Sequence, residues 1–202
     1  GWTASADLQF FTAYEALAEH YSFVGVDHRG HGRGLRSPSD FELHDAADDA
    51  AMLLQQLGIE QVVTVGYSMG GPISMHVARR HPQMVRGMVV QATALEWRAT
   101  PWERVRWKGV GVLGSVLRSR AYQRWIRHGI RRLLGPNHPL QPLVPWLASE
   151  VHRNDAGAIV QAGRALGRYD ASSWAGSLGL PAASLITTKD RLVPPRKQRA
   201  LA

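Results

Sequence analysis

The chain has 202 residues, 45% hydrophobic and 20% charged, with a net charge of +8 and no cysteine. That length carries one domain, or one core with an inserted segment, and this composition excludes disordered, collagenous and coiled-coil classes. The lack of cysteine excludes a disulfide scaffold and a thiolate metal site and fits a cytoplasmic setting, although Gly1 in first position leaves room for a signal peptide already removed.

Phe10 to His20 carries apolar residues at helical spacing, and Ser22 to Val26 (SFVGV) reads as a short buried strand. Asp27 to Gly34 (DHRGHGRG) holds three glycines in eight residues and can only be a loop. Ser39 or Asp40 is expected to cap a helix running to about Leu57, with Leu43, Ala47, Ala50, Leu53 and Leu54 on one face. Gln61 to Gly66 (QVVTVG) is apolar enough to be a parallel strand covered on both faces. A turn and a helix from Met69 to His81 follow, and Val85 to Gln91 supplies the next strand.

From Trp97 to about Trp174 the pattern changes to Arg- and Trp-rich helices. It returns at Pro181 with a strand, Ala183 to Thr187, and a final helix opened by Pro194-Pro195. The βαβ rhythm predicts an α/β fold, mostly a parallel sheet with helices on both faces, and an inserted helical lid. Residues 1–96 and 175–202 form the core and residues 97–174 the lid.

No apolar run reaches the roughly 18 residues of a membrane helix; the longest is the glycine-rich stretch from Gly109 to Leu117. The charge is unevenly placed. Residues 1–96 hold 6 basic and 11 acidic side chains, whereas residues 97–134 hold 10 and 1. Such a segment is first a solvated face and then an attractor of anionic substrates or membrane surfaces. No nucleic-acid motif accompanies it, so no nucleic-acid partner is expected. Trp97, Trp102, Trp107, Trp125 and Trp146 of the lid are read mainly as packing anchors, with weak lipid-interface contact as a second role.

The chemistry centres on Gly66-Tyr67-Ser68-Met69-Gly70-Gly71, between a buried strand and a helix. A serine on so sharp a turn is held in strained backbone geometry with its hydroxyl clear of the sheet, and small residues two before and two after let strand and helix approach. The bland alternative is a glycine-rich turn whose serine only caps the helix.

Together with Asp27 to Gly34, this segment resembles the α/β-hydrolase superfamily in its esterase and lipase branch, and Thr187 to Pro194 resembles that family's acid loop. The resemblance makes Ser68 the nucleophile and Asp190 the carboxylate that orients a histidine, with Glu96 the fallback acid. Met69 would supply one backbone donor to the oxyanion and Trp2 the second, if Gly1 is the glycine of the family's His-Gly pair. It implies no cofactor and a small-molecule ester substrate with an apolar acyl or alcohol part.

The family's histidine follows its acid, and no histidine follows Asp190 here. The chain therefore reads as an internal portion of a hydrolase, incomplete at both ends, with a gap in its sheet, and alone poorly stable and inactive. The rival reading is a hydrolase-like binding protein without catalysis. His28 and His31 lack the further ligands a metal site requires, and His76, His128, His138 and His152 fall in helices or the lid.

Overall fold

The computed structural model describes residues 1–110, 116–117 and 119–202; part of the Gly109 to Leu117 stretch lies outside the described residues. The chain divides into two compact units, residues 1–2, 40–108 and 161–202 in the first and residues 3–39 and 109–160 in the second.

The first unit is built on a parallel sheet of three contiguous strands, β1 (Val62–Tyr67), β2 (Val85–Gln91) and β3 (Ala182–Leu185). Tyr67 pairs with Gln91, and Gln91 in turn with Leu185, so the three strands end level with one another. Parallel neighbours need crossovers. The one between β1 and β2 is α4 (Gly70–Arg80), closed by a 3-10 turn at Pro82–Met84, where proline cannot continue the helix.

Helix α3 (Leu43–Gln56) places Leu43, Ala46, Ala47, Ala51 and Leu54 at helical spacing on its buried face. Its end is closed by Gly58 at φ +68°, a conformation glycine adopts without steric cost. Phe41, Met69, Ile73, Met75, Val77, Val90, Leu166 and Val193 belong to the core. Helices α5 (Pro101–Lys108) and α9 (Pro195–Arg199) complete the unit.

The second unit holds the short helices α1 (Ala6–Phe10) and α2 (Tyr14–Ala18), then α6 (Arg120–Leu134) and α7 (Val144–His152); α8 (Ala156–Arg168) begins here and continues into the first unit. The Asp27 to Gly34 loop is pinned by charge. Asp27 accepts the N–H groups of Ala6 and Arg33 at 2.6 and 2.8 Å. Arg33 reaches Asp7 at 3.0 Å and the fully buried Glu150 at 3.3 Å. Glu150 also accepts the Ser5 hydroxyl at 2.7 Å and pairs with Arg153 at 3.1 Å, which compensates the desolvation of its charge. Asn154 ties the same loop to Thr3, accepting from the Gly32 N–H and donating to the Thr3 carbonyl.

Four local expectations change. Residues 22–26 form no strand: a strand exists only through a ladder partner, none is present among the described residues, and Phe23 and Val24 are 44% and 40% exposed. The helical pattern from Phe10 to His20 is broken into α1 and α2 by a turn at residues 11–13. Strand β1 is covered on one face only, with Val63 and Val65 58% and 48% exposed. Helix α3 starts after Glu42, not after Ser39 or Asp40, because Gln161 takes both the Phe41 N–H and the Asp40 carboxylate.

Candidate functional site

The level strand ends have a chemical consequence. Ser68 follows β1, Ala92 and Thr93 follow β2, and the Thr187 to Asp190 loop follows β3, so all three leave the same carboxyl edge of the sheet. That edge is where open parallel sheets place ligands.

Ser68 sits at φ +53°, a left-handed conformation costly for a residue with a side chain. Three contacts impose it. Its N–H donates to the Gln91 carbonyl at 2.8 Å, which extends the β1–β2 ladder one residue past the strand. Its own carbonyl accepts the Gly71 N–H at 2.9 Å as the helix turns away. Strand and helix also approach so closely that a Cβ on Gly66 would lie 2.3 Å from the Gly70 carbonyl oxygen, and one on Gly71 2.5 Å from the Thr93 methyl. Glycine at 66 and 71 is therefore a packing requirement, whereas a Cβ on Gly70 meets nothing within 4 Å.

Met69 is fully buried and stands at the N-cap of α4, where peptide N–H groups point outward unpaired and the helix favours negative charge. Among the described residues no hydrogen bond takes up its N–H. Ala92, at φ +48°, is a second left-handed non-glycine residue on the same edge, its N–H held by the Leu185 carbonyl. Trp2 packs its ring 5.7 Å from that of Trp107, whose indole N–H donates to the Trp97 carbonyl.

Asp190 is held at three points. One carboxylate oxygen accepts the N–H groups of Leu192 and Val193 at 2.8 and 2.9 Å; the other accepts the Thr187 hydroxyl at 3.0 Å. No histidine is among these partners. Behind the loop, Gln198 is buried and bonds to Thr187 and Val193. Nothing in the sequence signals this glutamine, because its role depends on α9 folding back onto the loop. Glu96, the fallback acid, bridges Asp170 through its backbone and gives its carbonyl to Lys197.

His31 is fully buried and His28 half-buried, and desolvation holds His28 well below the usual imidazole range and His31 at about 4. His76, also lowered by burial to about 4, packs its ring beside His44, Tyr169 and Trp174. His81 bonds to Asp48 at 2.8 Å. No group of three or more metal-ligating side chains gathers among the described residues. In the second unit a cavity of about 430 Å³ is lined by Thr3, Tyr122, His152, Asp155 and Ile159 among others.

Residues 1–110 match the family model of the alpha/beta hydrolase fold. The chain belongs to this family. Its relatives include "Putative carbamate hydrolase RutD" of Serratia proteamaculans, 40% identical over 76 residues, which are 37% of this chain and 28% of that protein. Another is the 2-(acetamidomethylene)succinate hydrolase of Mesorhizobium japonicum, 34% identical over 73 residues, 36% of this chain and 26% of that protein. The matched stretch thus spans little more than a quarter of either relative. The solved esterase of Exiguobacterium antarcticum superimposes with a TM-score of 0.80 at 20% identity, over 100% of this chain and 76% of that one. This α/β-hydrolase chain is therefore shorter than its structural neighbour.

Proposed function

We propose that the protein is a serine hydrolase that cleaves a carboxylic ester with an apolar acyl or alcohol part through an acyl-enzyme on Ser68. The observation that carries this reading is the left-handed Ser68 at the carboxyl edge of the sheet, strained by packing that a merely capping serine would not need. In this reading Asp190 orients the histidine that takes the Ser68 proton, and the N–H groups of Met69 and Trp2 hold the oxyanion of the tetrahedral intermediate. The rigid threefold anchoring of Asp190 suits a group that must fix an imidazole in one orientation. Residues 97–174 are the lid in this reading.

The relatives' names favour one extension. Those names specify a carbamate and an acetamido compound, each of which contains a carbonyl bonded to nitrogen, and the proposed serine chemistry extends to such C–N acyl bonds.

The test is turnover of p-nitrophenyl esters of graded acyl length, with a carbamate and an anilide alongside, by the gene product read from its natural start to its natural stop codon. Ser68→Ala is expected to lower kcat/KM by about 10³-fold or more and Asp190→Asn by a comparable factor, with KM little changed. The 202-residue chain alone is expected to show no turnover. Full activity in Ser68→Ala would refute the reading.

A further inference from the structure

Between Glu103 and Glu150 the sequence contains no carboxylate, and within that stretch lies α6 with five arginines. Tyr122, Ile126, Ile130 and Leu134 recur every four residues along α6 and are half-buried, the face it turns to its own unit. Around the remainder, Arg127, His128, Arg131 and Arg132 are exposed. At helical spacing, His128 lies opposite that row, with Arg132 and Trp125 to one side of it and Arg131 and Arg127 to the other.

One large apolar side chain, Trp125, stands beside Arg132 and is 69% exposed, whereas Leu133 belongs to the apolar row, between Tyr122 and Ile126 around the helix. Burial of Trp125 contributes little to the fold, and among the described residues none of Arg127, Arg131 and Arg132 pairs with a carboxylate.

We infer that α6 is a docking face for an anionic lipid surface, on which it lies in the plane of the headgroups. A negatively charged bilayer supplies what this face lacks. Phosphate groups match the arginines, and the headgroup boundary takes the exposed indole of Trp125. No helix among the described residues is long and apolar enough to cross a membrane, so the contact is peripheral. This inference stands on α6 alone and does not depend on the serine chemistry.

The experiment is co-sedimentation of the gene product, read from natural start to natural stop codon, with vesicles of phosphatidylglycerol and phosphatidylcholine in equal parts, against phosphatidylcholine alone. Salt is raised from about 0.1 M to about 1 M, where screening collapses such attraction. Binding to the anionic vesicles only, lost at high salt, is expected. Arg127→Glu/Arg131→Glu/Arg132→Glu should weaken it on the order of a hundredfold, since each cation near such a surface is worth about a fivefold factor. A control with the same change in net charge, Arg86→Glu/Arg164→Glu/Arg199→Glu, should weaken it far less. Trp125→Ala should cost several-fold more. Equal loss in both triple variants, equal binding to neutral vesicles, or binding to RNA but not to vesicles would overturn the inference. The salt series on the unaltered chain decides even where a variant does not fold.

Discussion

Gln198 holds Thr187 from both sides: its Oε1 accepts the Thr187 N–H at 2.9 Å and its Nε2 donates to the Thr187 hydroxyl oxygen at 2.8 Å. The same hydroxyl donates to Asp190, and Nε2 also donates to the Val193 carbonyl. A single buried amide thus fixes both ends of the loop that carries the candidate acid. Gln198→Leu leaves the Thr187 N–H and the Val193 carbonyl without these partners and strips one bond from the Thr187 hydroxyl, and a cost of about 2–4 kcal/mol is expected in urea unfolding. Retention of full stability would remove Gln198 from this role.

The elbow packing makes opposite predictions for two neighbouring glycines. Gly66→Ala sets a methyl against the Gly70 backbone, which cannot yield, and should cost about 3 kcal/mol or more, or prevent folding. Gly70→Ala enters open space at the start of α4 and should change stability by no more than about 1 kcal/mol. Thermal melts of the two variants decide between them.

Ser68 trades stability for chemistry. Replacing it by glycine relieves the strain at φ +53° and should leave the protein as stable or about 1 kcal/mol more so, while abolishing acylation. Chemical denaturation of Ser68→Gly beside Ser68→Ala measures the strain directly, since alanine keeps the Cβ that creates it.

Acid should destabilise the first unit through His76. Burial lowers its folded pKa to about 4, with His44, Arg79 and Arg80 adding repulsion and Asp48 opposing. The unfolded chain then binds the proton more readily than the folded one. The stabilising contribution of the neutral ring is complete above about pH 6.5 and is lost as pH falls toward 4. His76→Phe should flatten this part of a urea-midpoint profile between pH 7 and 4.5. An unchanged slope would assign the acid sensitivity elsewhere.

Much of this was legible in the residues. Val85 to Gln91 is a run of apolar residues bounded by turn signals, and β2 occupies those residues; the elbow was legible because Gly-x-Ser-x-Gly between strand and helix leaves little else for the backbone to do. What failed was non-local. SFVGV has the composition of a strand, but composition does not supply a ladder partner. Asp40 has the chemistry of an N-cap, yet Gln161, far along the chain, claims it. Gln198 carried no signal because the three groups it binds are gathered only by the folded loop.

The most direct test of the central claim is covalent capture. The gene product, read from natural start to natural stop codon, is treated with a fluorophosphonate and the adduct located by peptide mass spectrometry, because capture requires an activated serine and oxyanion donors. A single adduct on Ser68, absent in Ser68→Ala and slowed in Asp190→Asn, is the predicted result. A folded protein that takes up no probe, or takes it up on another serine, would contradict the account.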